Sequence, residues 1–313
     1  MKIVMLFLDG VGIGVRDPSV NPLFAAPMKT LRSLLDGELP SLRNRICVAA
    51  RATATPLDAT LGVPGLPQSG TGQTALFTGA NGAKIAGCHF GPYPYSTLKP
   101  IIRERNVLRR VKEGGKAPCF ANAFPQRFFD YVEHGRGRMT VTTMASMSTD
   151  LPLRRAADLE VGRGVSADIT GEGWRTLGYP AMPIVPPQEA GRRLVRLLEN
   201  HDFVLFEYWQ TDHAGHARSR EEAVSVLEKF DGLLEGIVET IDPSRTLVLI
   251  TSDHGNIENL ATKTHTRNPV PLIVYGDGHR EFGARHTKGR KGKPDLTMVT
   301  PAIMDALFGA PRS

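Results

Sequence analysis

Short apolar runs that alternate with amphipathic helical patterns are the feature that most limits how this chain can fold. Strands are predicted at Lys2–Leu8, 203–206, 246–250 and Pro271–Tyr275, and helices at Gln188–Asn200 and Ser219–Thr240. Strands that are apolar on both faces need helices on both sides of the sheet, and the alternation of strand and helix favours parallel pairing. The pattern therefore predicts an α/β fold, with a doubly wound, mostly parallel sheet and helices on both faces.

The middle of the chain has a different composition. Residues 86–187 are rich in Gly, Pro and Arg, with short apolar runs and stretches such as "GPYPYSTLKP". We predict a discontinuous α/β core formed by residues 1–85 and 188–313, into which residues 86–187 insert a smaller α+β cap.

Composition and charge exclude several classes of protein. The formal charge of +6 comes from scattered basic residues and a cluster within 285–293, without a nucleic-acid-binding module. No apolar stretch is long enough to cross a membrane. Three widely spaced cysteines, Cys47, Cys88 and Cys119, suit a reducing cytoplasm. We expect a cytoplasmic protein with a small anionic substrate, no nucleic-acid partner and no membrane association.

Metal-capable side chains lie at or near the ends of the predicted strands. They are Asp9, Glu207, Asp212, His216, Asp253, His254 and His265. In doubly wound sheets, ligands bind beyond the carboxyl ends of the strands. Asp253-His254-Gly-Asn taken alone is also typical of a turn, but several strand ends carrying such residues favour a metal site. Imidazole with carboxylate suits Zn²⁺ or Mn²⁺ better than Ca²⁺.

The stretch "GLPQSGTGQTALFTGANGA" places Ser69 at the start of a short helix that ends at Gly79. The Gly-Lys-Ser/Thr ending of a phosphate-binding P-loop is absent. A serine hydroxyl near a helix N-terminus and bound to a dication can ionise and attack phosphorus. Ser69 could instead be a simple N-cap.

These motifs resemble those of the alkaline phosphatase superfamily, most closely its cofactor-independent phosphoglycerate mutase and phosphopentomutase branch. The resemblance implies an alkaline phosphatase-like fold, two divalent metal ions and Ser69 as the nucleophile. By the resemblance, one metal is held by Asp212, His216 and His265, and the other by Asp9, Asp253, His254 and the Ser69 oxygen. Glu207 would serve a third, Mg²⁺ site, or it is an outward-facing carboxylate in solvent.

The function that this resemblance implies is phosphoryl transfer from a small phosphate monoester through a phosphoserine. The enzyme would be a phosphatase if water accepts the phosphoryl group, and a phosphomutase if the reoriented substrate accepts it. Candidates for gripping the substrate are Lys84, His89, Arg154, Arg155 and Arg163. Two alternatives stay open, a phosphodiesterase of the same superfamily and a non-catalytic metal-binding protein with this fold.

Overall fold

The structure is a computed structural model that describes residues 1–134, 138–287 and 293–309, so the basic segment 285–293 is described only in part. Within these residues one seven-stranded sheet has the order β2-β3-β7-β6-β1-β5-β4. The strands are β1 (Lys2–Leu8), β2 (Cys47–Val48), β3 (Ala52–Leu57), β4 (Pro118–Phe120), β5 (Phe203–Tyr208), β6 (Thr246–Thr251) and β7 (Val270–Tyr275).

The central part of the sheet is parallel, as the sequence predicts. Strand β1 lies between β5 and β6 and runs parallel to both, and β4 runs parallel to β5. Strand β7 runs antiparallel to β6 and to β3, and β2 runs antiparallel to β3. The chain between β6 and β7 forms no crossover helix, and a parallel return requires such a crossover. The start of β7 therefore lies at the same edge as the ends of the parallel strands.

Helices cover both faces of the sheet. They are α1 (Pro22–Ala25), α2 (Lys29–Leu34), α3 (Ser69–Thr78), α4 (Gly82–Ala86), α5 (Lys99–Arg105), α6 (Val107–Glu113), α7 (Gln126–Glu133), α8 (Val141–Ser148), α9 (Ala156–Glu160), α10 (Pro187–Leu197), α11 (Gln210–Ala217), α12 (Arg220–Val238), α13 (Ala284–Thr287) and α14 (Val299–Phe308). Short 3₁₀ turns occupy Ser96–Leu98, Glu172–Leu177 and Leu296–Met298. None of the helices in the described part of the chain has the length and apolarity that crossing a membrane would need.

The two faces of β1 show how the core is divided. Its side chains alternate, so that Val4 and Leu6 pack in one buried cluster with α10 and α12, while Ile3 and Met5 pack in a second cluster on the other face. The second cluster includes residues of α3, α8 and α14. Burial on both faces is the reason why this strand is apolar from Ile3 to Leu8.

Part of the inserted segment, residues 86–187, belongs to the core of the protein. Its strand β4 is the edge strand of the sheet next to β5, and α5, α6 and α8 supply residues to the core cluster around Ile3 and Met5. A small separate cluster consists of Ala123, Leu159, Trp174 and Met182. The division into a core (1–85 and 188–313) and a cap (86–187) stays a prediction, and the early part of the segment is shared with the sheet.

Candidate metal centre

The predicted metal ligands come together at one edge of the sheet. Asp9 follows β1 and Asp253 follows β6. The helix α11 begins two residues after β5 and carries Asp212 and His216 on successive turns. His265 precedes β7, and the reversed direction of that strand brings it to the same edge. Four separate chain segments thus converge where parallel strands end.

Asp212, His216 and His265 form the more open half of the centre. His216 Nε2 lies 3.3 Å from Asp212 Oδ2 and 3.2 Å from His265 Nε2, which is itself 3.6 Å from Asp212 Oδ1. His265 Nδ1 is 2.8 Å from the Pro67 carbonyl oxygen. Since a carbonyl only accepts, Nδ1 carries the hydrogen and Nε2 presents its lone pair to the cluster. Burial, together with His254, lowers the pKa of His265 to about 4, which keeps the ring neutral.

Asp9, Asp253, His254 and Ser69 form the buried half. His254 Nε2 lies 3.0 Å from Ser69 Oγ, 3.2 Å from Asp9 Oδ1 and 3.6 Å from Asp253 Oδ2. Burial raises the pKa of Asp9 well above its ordinary value, with Asp253 adding to the effect, and burial also raises the pKa of Asp253. Against its own burial, which lowers it, the carboxylates of Asp253 and Asp9 raise the pKa of His254 to about 10. Burial and the proximity of like charges therefore disfavour two ionised carboxylates at this position, and a bound cation would offset that cost.

The donor set fits divalent metal ions. Asp212, His216 and His265 each offer one ligand atom within 4.8 Å of the others, and so do Asp9, Asp212 and His254. In the described part of the chain, Asp9 Oδ1 is buried without a well-formed hydrogen bond. Carboxylate and imidazole donors suit Zn²⁺ or Mn²⁺. Asp212 lies between the two halves, whereas the resemblance assigns it to one metal only.

Gln73 is a residue of the centre that sequence reasoning missed. Its Nε2 donates to Asp9 Oδ2 and Asp253 Oδ2, both at 3.2 Å, and so links the two carboxylates. A signal was present, because Gln73 follows Ser69 by one helical turn and α3 presents both residues on one side.

Glu258 is a second missed residue, and it ties the loop after β6 to the loop after β1. Its carboxylate, which is fully buried, accepts hydrogen bonds from Gly12 N (3.0 Å), Asn256 N (2.7 Å) and Asn268 Nδ2 (3.0 Å). Asn256 Nδ2 in turn donates to Asp212 Oδ1 at 2.6 Å. These bonds hold the ligand-bearing loops in fixed relative positions.

Two glycines allow the chain segments to approach so closely. Gly10 has φ +71°, and a Cβ there would lie 2.5 Å from Asp212 Oδ1. A Cβ on Gly72 in α3 would lie 2.7 Å from the carbonyl oxygen of Asp253. A side chain at either position would push a ligand-bearing segment away from the centre.

Glu207 is buried at the end of β5, so its interpretation as a solvent-facing carboxylate is wrong. Its Oε2 accepts a hydrogen bond of 2.6 Å from Thr142 Oγ1 on α8. Its backbone N–H and C=O pair with the side-chain amide of Asn122 at 2.9 and 2.8 Å. Burial raises the pKa of Glu207 to about 7, and nearby Asp253 adds to this. Neither group of convergent ligand atoms includes Glu207, and its role at a third metal site stays a prediction.

Replacing Thr142 with valine should lower the free energy of unfolding, because a buried carboxylate loses its hydroxyl donor. Losing one partner of a buried, charged hydrogen bond costs about 1–3 kcal/mol. Urea unfolding at pH 8, where Glu207 is ionised, measures the change. Thr142→Ser keeps the hydroxyl and should stay close to the parent. Equal stability of the valine and serine variants would contradict any contribution from this bond.

The residues predicted to grip the substrate make their contacts outside the centre. The contacts of the three arginines lie within the inserted segment, namely Arg154 Nη1 to the Phe120 carbonyl (3.0 Å), Arg155 Nη1 to Gln126 Oε1 (3.0 Å) and Arg163 Nε to Asp158 Oδ1 (3.2 Å). Lys84 is exposed on α4, and His89 Nε2 lies 3.2 Å from the Val63 carbonyl oxygen. Their role in substrate binding stays a prediction that these contacts do not support.

Comparison with known sequences gives a match in the C-terminal part of the chain. Residues 178–309 match the family model of the Metalloenzyme superfamily. A 2,3-bisphosphoglycerate-independent phosphoglycerate mutase of Pyrococcus abyssi is 32% identical over 130 residues, which cover 38% of this chain and 31% of that protein. The enzyme of the same name from Pseudomonas fluorescens is 34% identical over 138 residues, or 41% of this chain and 26% of that protein. The match thus spans less than a third of each relative.

Solved structures match over the whole chain. A protein of Pyrococcus horikoshii has a TM-score of 0.60 with 15% identity, covering 100% of this chain and 98% of that one. The alkaline phosphatase of the Antarctic bacterium TAB5 has a TM-score of 0.54 with 12% identity, covering 98% and 97%. Likeness at such low identity concerns the fold, and it confirms the predicted alkaline phosphatase-like sheet. With the match over 178–309, it also confirms the resemblance to this superfamily.

Proposed function

We propose that this chain, with the fold and C-terminal sequence pattern of alkaline phosphatase superfamily metalloenzymes, transfers the phosphoryl group of a small phosphate monoester through Ser69. The observation that carries the proposal is the position of Ser69 Oγ, 3.0 Å from His254 Nε2 among buried carboxylates. Ser69 lies outside the segment that matches the family model, so its role rests on this geometry and on the motif.

The two halves of the centre would each hold a divalent cation. Asp212, His216 and His265 would hold one, and Asp9, Asp253 and His254, with the Ser69 oxygen, would hold the other. When bound, the cations supply a lowered pKa for the serine hydroxyl and neutralise charge on the phosphate oxygens. Glu207 would contribute to a third site for Mg²⁺.

The chain's own residues position the reaction. Ser69 is the first residue of α3, where the unpaired N–H groups of a helix favour an anionic phosphate. The Ser69 oxygen would form a bond to phosphorus as the bond to the leaving alcohol breaks, giving a phosphoserine. Gln73 keeps the carboxylates of Asp9 and Asp253 in place beside that oxygen. In the second step of the reaction, the phosphoryl group would pass from Ser69 to water or to another hydroxyl of the substrate.

A product analysis tests the proposal. The metal-loaded protein would be given 3-phosphoglycerate, ribose 5-phosphate and the diester bis(p-nitrophenyl) phosphate, with free phosphate and positional isomers followed by ³¹P NMR. We expect turnover of a monoester, as phosphate release or as isomer formation. Turnover of the diester alone would favour the phosphodiesterase alternative. Tight metal binding without turnover of any compound would favour a non-catalytic metal-binding protein.

A further inference from the structure

A cavity of about 650 Å³ opens beside the metal centre. Its lining includes Glu207, Trp209 and Gln210, at and just after the end of β5. Residues of α7 and of the 3₁₀ turn Glu172–Leu177 also line it. Its volume lies within the range typical of small-molecule pockets, so it can hold a group much larger than a phosphate.

Aromatic rings make up much of the wall. They belong to Phe124, Phe128, Tyr131, Trp174 and Trp209. The rings of Phe124 and Phe128 are 4.3 Å apart at their centroids and tilted by only 31°. Trp174 is held in place because its Nε1 donates to Ser166 Oγ at 2.8 Å, whereas Trp209 is 45% exposed. Flat, fixed rings beside an accessible one favour an occupant that stacks on them.

The cavity adjoins the centre through the end of β5. The Tyr208 carbonyl accepts the backbone N–H of Asp9 at 3.1 Å, and Tyr208 lies between the lining residues Glu207 and Trp209. Thr211, just beyond, donates its hydroxyl to the Asp9 carbonyl. The end of β5 therefore lies between Asp9 and the cavity, so the remainder of a phosphate ester bound at the centre would extend along this strand end towards the cavity.

The charges in the cavity do not suit a second anionic group. Among the described residues that line it, Arg127 is the single positively charged one. The Asp168 carboxylate accepts the backbone N–H groups of Gly171 (2.8 Å) and Gly173 (2.6 Å) and so is occupied by its own loop. A carboxylate or second phosphate would lose its hydration with only one cation in return, which is unfavourable. An uncharged, planar ring would not carry this cost of lost hydration.

We propose that this cavity binds a planar aromatic ring carried by the phosphate ester substrate, as in a nucleoside monophosphate. The inference rests on the proposed function, because it names the substrate class of the same centre. The three-carbon phosphoglycerate in the names of the relatives offers no such ring.

The test compares two substrates that differ only in the ring. Adenosine 5′-monophosphate and ribose 5-phosphate share the ester and the sugar phosphate, and the metal-loaded enzyme should favour the nucleotide in kcat/KM by about tenfold or more, as expected for stacking on several rings. Phe128→Ala and Trp209→Ala should each lower kcat/KM for the nucleotide about fivefold and leave ribose 5-phosphate within about twofold. The matched control is Phe308→Ala, which removes another partly exposed ring, on α14 outside the cavity.

A binding measurement separates failure of this inference from failure of the proposed function. Adenosine, which has no phosphate, should quench the tryptophan fluorescence of the metal-loaded protein, and Trp209→Ala should remove the quenching. Quenching without phosphate transfer from any ester would overturn the proposed function and keep the ring site. Equal rates on the two substrates without quenching would overturn the ring site and keep phosphoryl transfer. A preference for decyl phosphate over the nucleotide would show an apolar site without selection for a ring, and would also overturn the inference.

Discussion

Replacement of Ser69 by alanine is expected to abolish phosphoryl transfer while the centre continues to bind metal. Ser69 is 6% exposed, its Oγ lies 3.0 Å from His254 Nε2, and no other hydroxyl is predicted to attack phosphorus. Loss of a covalent nucleophile typically lowers kcat by at least about a thousandfold. Rapid quenching with substrate followed by intact-mass measurement should find a phosphoryl adduct on the parent protein and none on the variant.

Ser148→Ala is a matched control for that experiment. Ser148 lies on α8 and donates its hydroxyl to the Ala145 carbonyl at 3.1 Å, within its own helix. This variant should keep the adduct and the rate of the parent. A Ser69→Ala protein that keeps the parent rate would remove Ser69 from the mechanism and leave the metal assignments standing.

Asp253→Asn is expected to have the second large effect, on metal occupancy. The substitution keeps the size of a side chain that is completely buried and accepts from Gly10 N (3.3 Å) and Gln73 Nε2 (3.2 Å), but it removes the negative charge. Metal affinity at the buried half should fall by more than about a hundredfold, since even changes outside the ligand set cost 10–100-fold. Elemental analysis after dialysis should find about one equivalent of metal lost, with activity lost in parallel.

The same variant also tests the stability of the metal-free protein, where the substitution should be stabilising. Burial raises the pKa of Asp253, so at neutral pH its charge destabilises the metal-free fold. The asparagine variant should therefore unfold at a higher temperature than the parent after chelation, and at a lower one in the presence of metal. Glu228→Gln, which removes an exposed carboxylate on α12, should change neither value. Unchanged metal content in Asp253→Asn would mean that the stretch Asp253-His254-Gly-Asn is a turn without a role in metal binding.

The positions of the candidate ligands could be predicted from the sequence for a physical reason. Asp9 directly follows the apolar run 3–8, and Asp253-His254 comes two residues beyond the apolar run 247–250. Such runs become central strands whose carboxyl ends share one edge. The position of His265 at this edge was harder to predict, because it depends on the reversed direction of β7. No local pattern encodes that direction, since it follows from the absence of a crossover helix between β6 and β7.

Contacts between segments that are far apart in the chain could not be predicted from the sequence. Gln73 meets Asp9 over a separation of 64 residues, and Thr142 meets Glu207 over 65. Thr142 also lies in the segment predicted to be a cap, where a strand of only three residues, β4, gives little periodic signal. The aromatic cavity could not be predicted for the same reason, because its aromatic walls come from segments separated by up to about 85 residues, from Phe124 to Trp209.

The central position of β1 has a consequence for the synthesis of the protein. This strand leaves the ribosome well before its partners, since Ile3 pairs with Phe203 and Lys2 pairs with Thr246. At ~5–20 residues per second, the apolar strand waits on the order of ten to forty seconds for its first parallel neighbour. During that time it is a ready target for chaperones or for aggregation. The edge that carries the predicted ligands is complete only once His265 has left the ribosome, so during synthesis metal binding at both halves of the centre follows most of the sheet-forming sequence and does not start the folding of the sheet.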